Sequence, residues 1–300
     1  MKILMQQSRD SSGLDIDEWD IGIIGSPLDD RGYAATGFVQ QKVKKVIHMT
    51  VLQQEFRFKL DNHTYDVDDA DEAFQDMTGK SVLIESTTLG FVEILLISSA
   101  LLKSNGNEVS YLYIEPKEYR RERKSLVLHR RDFDLSGEVP GYQAIPGYSL
   151  ILLDNVNQKV IFFAGYESSR LEKALEDCPW ILSKNASIVF GVPAFNPGWE
   201  IDSFTNNIAV ISERNLTGGI HFAGATNPLA AYDLLISVHN GLEASEQLFI
   251  APIGTKPLAI GIALFAIEKD NIGILYDHPI KKPGRTGDIA NWHLFKAMVK

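Results

Sequence analysis

Cysteine is nearly absent: Cys178 is the one thiol in 300 residues. A lone cysteine makes no intramolecular disulfide and no cysteine-based zinc cluster, so a reducing, cytoplasmic compartment is expected and no metal site is. Long apolar runs are missing as well. No window approaches about 18 uninterrupted apolar residues, which argues against a membrane span, and residues 1–14 hold no apolar run of signal-peptide length. Positive charge is in deficit, with 29 Lys and Arg against 39 Asp and Glu and a formal net charge of −10. Broad nucleic-acid coating needs clustered cations to displace phosphate counterions, so this balance argues against it. The G-x-S-x-G elbow, H-E-x-x-H, the EF-hand loop and Walker A spacing are all lacking. Gly22 and Gly25 do not complete a G-x-G-x-x-G fingerprint, so no nicotinamide, flavin or other cofactor is expected.

What is present is an ordinary globular composition, 45% hydrophobic and 23% charged, long enough for one large domain or two. Short, nearly continuous apolar runs alternate with helical patterns. In the first part they fall at residues 20–25, 46–52, 56–60, 81–85 and 108–114, with helices expected at 33–43 and 91–103, the latter ended by Asn105-Gly106. The acidic stretch 61–76 reads as a solvated loop and helix start. Residues 115–149 form an irregular connection in which Arg120, Arg121, Arg123, Lys124, Arg130 and Arg131 mix with acids. Strands are expected again at 160–164, 187–192, 220–223, 248–251 and 271–276, with helices at 170–177, 228–240 and 256–267. This alternation predicts an α/β fold, two Rossmann-like halves with mostly parallel sheets covered by helices. The halves would be residues 1–114 and 150–300.

Ligands of such sheets bind outside the carboxyl ends of the strands, where loops converge and helix N-termini present unpaired N–H groups. The polar clusters of this chain fall there: Ser26, Asp30 and Arg31; Ser86, Thr87 and Thr88; Tyr166, Glu167 and Arg170; Thr226 and Asn227; and Gly254, Thr255 and Lys256. In the last of these, Gly254 would let a ligand approach the backbone, Thr255 offers a hydroxyl, and Lys256 adds a point charge beside the positive end of a helix dipole, a set suited to an anion. Asn227 either reads a base edge or caps the helix that Pro228 begins. Tyr166 could stack on a base, and Glu167 with Arg170 is either a surface ion pair or a carboxylate with its orienter. The loop 193–200 holds Phe195 and Trp199, as a stacking platform or as a buried lock. Asp277 and His278, adjacent on an extended chain, are expected to point apart.

The Gly254-Thr255-Lys256-Pro257 turn, the small-residue helix after it and the strand near 271–276 resemble the Gly-Thr-Lys strand-helix turn of CARF domains. These are Rossmann-like sensors of cyclic oligonucleotides in prokaryotic antiviral systems, related to SAVED domains. The resemblance covers about 30 residues, with Ile253 where that family often has a second Gly. It implies that Gly254, Thr255 and Lys256 line a ligand pocket, with Ser26, Asp30 and Arg31 as a looser counterpart of the family's other ligand loop.

The leading expectation is a regulatory protein binding a nucleotide-like, phosphate-bearing small molecule, working with a protein partner or as a homo-oligomer in a defence assembly. One alternative is a glycosidic-bond hydrolase or transferase acting on nucleotides through Glu167, Asp30 or Glu85. Another is an interaction subunit of a larger complex.

Overall fold

A computed structural model of the chain describes residues 1–16, 18–103, 107–119, 133, 135–153 and 155–298. The expected helix stop at Asn105-Gly106 and the basic residues Arg120, Arg121, Arg123, Lys124, Arg130 and Arg131 lie outside the described residues. The chain divides into two compact units, Met1–Tyr119 with Thr286–Lys300, and Arg120–Arg285. The α/β class holds in both. The boundaries differ from the expected 1–114 and 150–300, because the C-terminal segment returns to the first unit.

The first unit begins with β1 (Lys2–Ser8) and β2 (Trp19–Ile24). After these come α1 (Asp30–Lys42), β3 (Val43–Leu52), β4 (Arg57–Leu60), β5 (His63–Asp66) and the short α2 (Ala70–Ala73). The unit continues with β6 (Ser81–Glu85), α3 (Phe91–Lys103) and β7 (Glu108–Tyr119). The eight-stranded sheet is completed by the last strand of the chain, Thr286–Met298, which lies between β1 and β7 and antiparallel to both. Its four central strands, β7-β6-β2-β3, are parallel, while β4 and β5 add an antiparallel margin on the other side. Part of the acidic stretch expected to be loop is thus strand β5. Helix α1 contributes Ala35, Phe38 and Val39 to one side of the sheet, packed with Ile24, Leu112, Ile114, Trp292 and Leu294. Helix α3 buries ten of its residues, and its Ser98 hydroxyl lies 2.8 Å from the Tyr111 hydroxyl of β7.

The second unit runs β8 (Asn157–Phe163), α4 (Ser168–Asp177), β9 (Ala186–Gly191), α5 (Trp199–Glu213), β10 (Gly219–Ala223) and α6 (Pro228–Asn240). It ends with β11 (Glu246–Pro252), α7 (Lys256–Glu268) and β12 (Ile272–Ile274), so the strand closing the first unit is β13 (Thr286–Met298). The sheet is wholly parallel, in the order β10-β9-β8-β11-β12. Strands buried on both faces read as continuous apolar runs, which is why their positions were legible. Helices α4 and α5 supply Leu171, Ala174, Val210 and Ile211 to one core, against Val160, Phe162, Ile188 and Phe190. Helix α7 is apolar all round and buried from Pro257 to Ile267, as a helix enclosed within the domain must be. Gly261 lets α6 and α7 touch, since a Cβ there would lie 2.0 Å from the Pro228 carbonyl oxygen. Among the described residues no helix is long and apolar enough to cross a membrane.

Candidate functional site

Each sheet has one place where the strand order reverses, and in open α/β sheets ligands bind beside that point, at the carboxyl ends. In the first unit it lies between β2 and β6. The chain leaves β2 through Gly25, Ser26 and Pro27 and leaves β6 through Ser86, Thr87 and Thr88, so the expected residues are brought together. Their polar groups, however, face one another. Glu85 is fully buried; its Oε1 accepts from Thr87 N at 2.7 Å and its Oε2 from Thr88 N at 3.0 Å and from the Thr88 hydroxyl. Thr88 Oγ1 in turn accepts from Gly25 N at 2.9 Å, and Thr87 Oγ1 from Ile114 N at 3.1 Å. Burial pushes the Glu85 carboxyl above its ordinary range.

Arg31, expected to face a ligand, is also buried. It donates to Asp29 Oδ2 at 2.9 Å, Ile114 O at 3.1 Å and Thr286 Oγ1 at 3.2 Å. Asp29 caps α1 by accepting from Gly32 N at 2.9 Å. Burial raises its carboxyl, but the Arg31 charge and the Thr286 hydroxyl outweigh that and hold it below the usual range. Ser26 and Asp30 are exposed beside this closed network.

In the second unit the order reverses between β8 and β11. The exit of β8, Gly165 to Glu167, meets the exit of β11, Ile253 to Lys256. Two glycines permit this approach: a Cβ on Gly165 would lie 2.9 Å from Ile253 O, and one on Gly254 would lie 3.3 Å from the carbonyl oxygens of Phe163 and Ala164. Gly254 therefore has a packing role, whatever else approaches it. Helix α5 fixes the β8 exit with a polar buried face. Ser203 Oγ and Asn207 Nδ2 both donate to Gly165 O at 2.9 Å, and Asn206 Nδ2 donates to Tyr166 O at 2.9 Å. Because a trans peptide sets C=O and N–H on opposite sides, the N–H groups of Tyr166 and Glu167 turn away from α5.

The side chains expected at this exit are engaged within the fold. Tyr166 is buried, 4.7 Å between ring centres from Phe133 and edge-on to Trp199 at 6.1 Å, so its ring and that of Trp199 lock the loop from inside. Glu167 does not pair with Arg170. Its carboxylate accepts from Leu135 N at 3.0 Å, Ser136 N at 2.8 Å and Ser136 Oγ at 2.7 Å. Arg170 forms a two-armed pair with buried Asp277, Nε to Oδ2 and Nη2 to Oδ1 at 2.6 Å each, and donates from Nη1 to Ile253 O at 3.2 Å. Burial alone would weaken the guanidinium's hold on its proton; Asp277 reverses this and keeps Arg170 charged. Asp277 is taken up by Arg170, whereas His278 departs from the expected extended backbone, in the left-handed region at φ 46°, with its ring edge-on to Tyr276.

The loops after β10 and β11 are joined by the Thr255 hydroxyl, which donates to Ala225 O at 2.6 Å. Asn227 caps α6, accepting from Ala230 N at 3.1 Å. Thr255 occupies the equivalent position on α7 but makes no side-chain cap, because its oxygen is turned to Ala225. Gly254, Thr255, Lys256, Thr226 and Asn227 are all half-buried, and they are the expected ligand residues that this unit gathers at the open ends of its strands.

Sequence reasoning passed over the cluster of buried Glu115 and His293 with half-buried Asn291, in which Glu115 Oε1 lies 2.6 Å from His293 Nε2 and Oε2 accepts from Asn291 Nδ2 at 2.8 Å. It joins residues 178 apart in the chain and has no local motif. It also passed over the polar face of α5. Among the described residues no group of three or more His, Cys, Asp or Glu could hold a metal ion.

No protein-family model and no curated protein matches the chain. Among solved structures, a ketoreductase domain from the bacillaene assembly line is similar at a TM-score of 0.24 and 11% identity, over 90% of this chain and 72% of that one.

Proposed function

We propose that the second unit binds a nucleotide-like, phosphate-bearing small molecule at the carboxyl ends of β8, β10 and β11. The observation that carries this reading is the amino end of α7. Its cap residue gives its hydroxyl to Ala225 instead of accepting from the helix, so the cap side chain does not cover the first turn, where Pro257 carries no N–H and the Leu258 N–H and the positive end of the dipole lie beside the Lys256 charge, next to the reversal of strand order. Helix dipole, this N–H and a lysine together favour an anion. The neighbouring α6 is capped by its own Asn227, and Thr226 then stands as a second hydroxyl at the same end of the sheet.

The resemblance of the turn to CARF domains supplies the ligand class and the setting: a regulatory role in an antiviral-defence assembly, in a reducing cytoplasm. Binding is favoured over glycosidic-bond chemistry because two of the three candidate carboxylates, Glu85 and Glu167, hold main-chain N–H groups, and Asp30 sits exposed at the start of α1.

Titration calorimetry against mononucleotides, cyclic dinucleotides and cyclic oligoadenylates tests the proposal. Lys256→Ala should weaken a phosphate-bearing ligand by about tenfold or more, equivalent to about 1.4 kcal/mol, and leave the parent nucleoside unaffected. Equal affinity in the wild type and Lys256→Ala, or no binding across the panel, overturns it.

A further inference from the structure

The middle turns of helix α5 are inverted for a surface helix. Between buried Trp199 at its start and Val210 and Ile211 near its end, its buried face carries Asp202, Ser203, Asn206 and Asn207, while Ile201, Phe204 and Ile208, spaced as one stripe, are exposed at 65%, 40% and 38%. Beside it, Ile220 and Phe222 of β10 are exposed at 44% and 62%. They pair in register with Ile188 and Phe190, which belong to the core on the α5 face, and Phe190 meets Phe204 at 5.4 Å between ring centres. The five side chains therefore share one side of the unit.

Strand β10 also ends the sheet, and no described strand pairs with its outer side. Its sequence, Gly-Ile-His-Phe-Ala, holds none of the Lys, Glu, Asp or Pro residues by which monomers protect an exposed edge. The Ala223 carbonyl accepts from Val192 N at 2.9 Å, so alternation along the strand turns the backbone groups of residues 219, 221 and 223 inward and those of Ile220 and Phe222 outward.

We propose that this edge is a homodimer interface, in which β10 pairs antiparallel with β10 of a second copy about a two-fold axis at His221. The register is self-complementary. Ile220 of each copy stands opposite Phe222 of the other, exchanging both N–H···O=C bonds, and the aliphatic-aromatic pair lies on the face where the two α5 stripes meet. Area favours a second copy as the occupant. With a whole aromatic side chain at roughly 150–250 Å² and Ile somewhat less, each copy presents about 400 Å² of apolar side chain, within the range of functional patches and about half of the ~800 Å² per partner of a standard interface. The paired backbone and the rest of the outer α5 surface supply the remainder.

Sedimentation velocity over a dilution series, with a disulfide trap, tests this. The wild type should run as a dimer, and Phe222→Lys or Ile201→Lys, checked for native circular dichroism, should raise the dimer Kd by at least about 100-fold. Leu28→Lys, which alters an exposed apolar residue of the first unit, should leave it unchanged. In a Cys178→Ser background, His221→Cys should crosslink to a covalent dimer on mild oxidation, since the two positions face each other as a close pair. A wild type monomeric at about 100 μM, or a dimer indifferent to both lysine variants and untrapped by His221→Cys, overturns the proposal.

Discussion

Replacing Asp277 with alanine removes both acceptors of the Arg170 fork and leaves a guanidinium whose side chain is only 11% exposed facing one remaining acceptor, the carbonyl of Ile253. Breaking a buried ion pair from one side costs about 3–5 kcal/mol, because the surviving charge has lost its compensation. Against a total stability of about 5–15 kcal/mol, that is a large fraction, and at roughly 2–4 °C per kcal/mol it should lower Tm by about 10 °C. Arg170→Lys keeps the charge but loses the planar fork, so its cost should fall between wild type and Asp277→Ala. The double variant Arg170→Met, Asp277→Leu removes both charges and should recover most of the loss, giving a coupling energy of a few kcal/mol in a double-mutant cycle. The assay is urea unfolding followed by circular dichroism, with hydrogen exchange at residues 253–256 as a local readout, since Arg170 also holds the carbonyl that precedes Gly254. A loss below about 1 kcal/mol for Asp277→Ala, or strictly additive single variants, would show that the pair does not hold these loops together.

Glu85→Ala should cost about 3 kcal/mol in the same assay, because the buried N–H groups of Thr87 and Thr88 lose their acceptors at about 1–3 kcal/mol each. Burial raises the folded carboxyl above its ordinary value of 4.5, so the stability linked to its protonation is fully present below that value and is lost as pH rises through the folded pKa. The penalty of Glu85→Gln, compared with wild type across pH, should therefore be larger at pH 4 than at pH 8; a flat difference would contradict the burial. Asp20 runs the other way. Lys44 at 2.8 Å and the Ser81 N–H and hydroxyl at 3.1 Å hold its carboxyl down to about 2. Its contribution is thus present above the ordinary 3.8 and lost as pH falls through about 2, and carboxyl NMR should find its midpoint there, with Asp20→Asn abolishing that part of the acid sensitivity.

These tests fall on residues whose surroundings the sequence disclosed to different degrees. Strands β2, β6, β8, β9 and β11 were legible because parallel strands covered on both faces must be apolar at nearly every position. The polar strand exits were legible for the same reason, since the strand ends locate them. Pairing partners were not. Glu167 and Arg170, three residues apart on one helix start, read as a pair, yet each finds its partner elsewhere, at Ser136 and at Asp277, 31 and 107 positions away. The terminal strands β1 and β13 escaped because their residues alternate between faces and their register joins Lys2 to Met298, a pairing no local window contains.

Helix α5 escaped for a different reason. Hydrophobic periodicity identifies a helical stripe but assumes the apolar face is the buried one. Here the β8 exit presents the carbonyls of Gly165 and Tyr166 inward, and a buried carbonyl demands a donor. Ser203, Asn206 and Asn207 meet that demand, which forces Ile201, Phe204 and Ile208 outward. The polar requirement of the loop at the candidate site and the apolar surface at the edge of the sheet are thus two consequences of one helix orientation: satisfying the first creates the second.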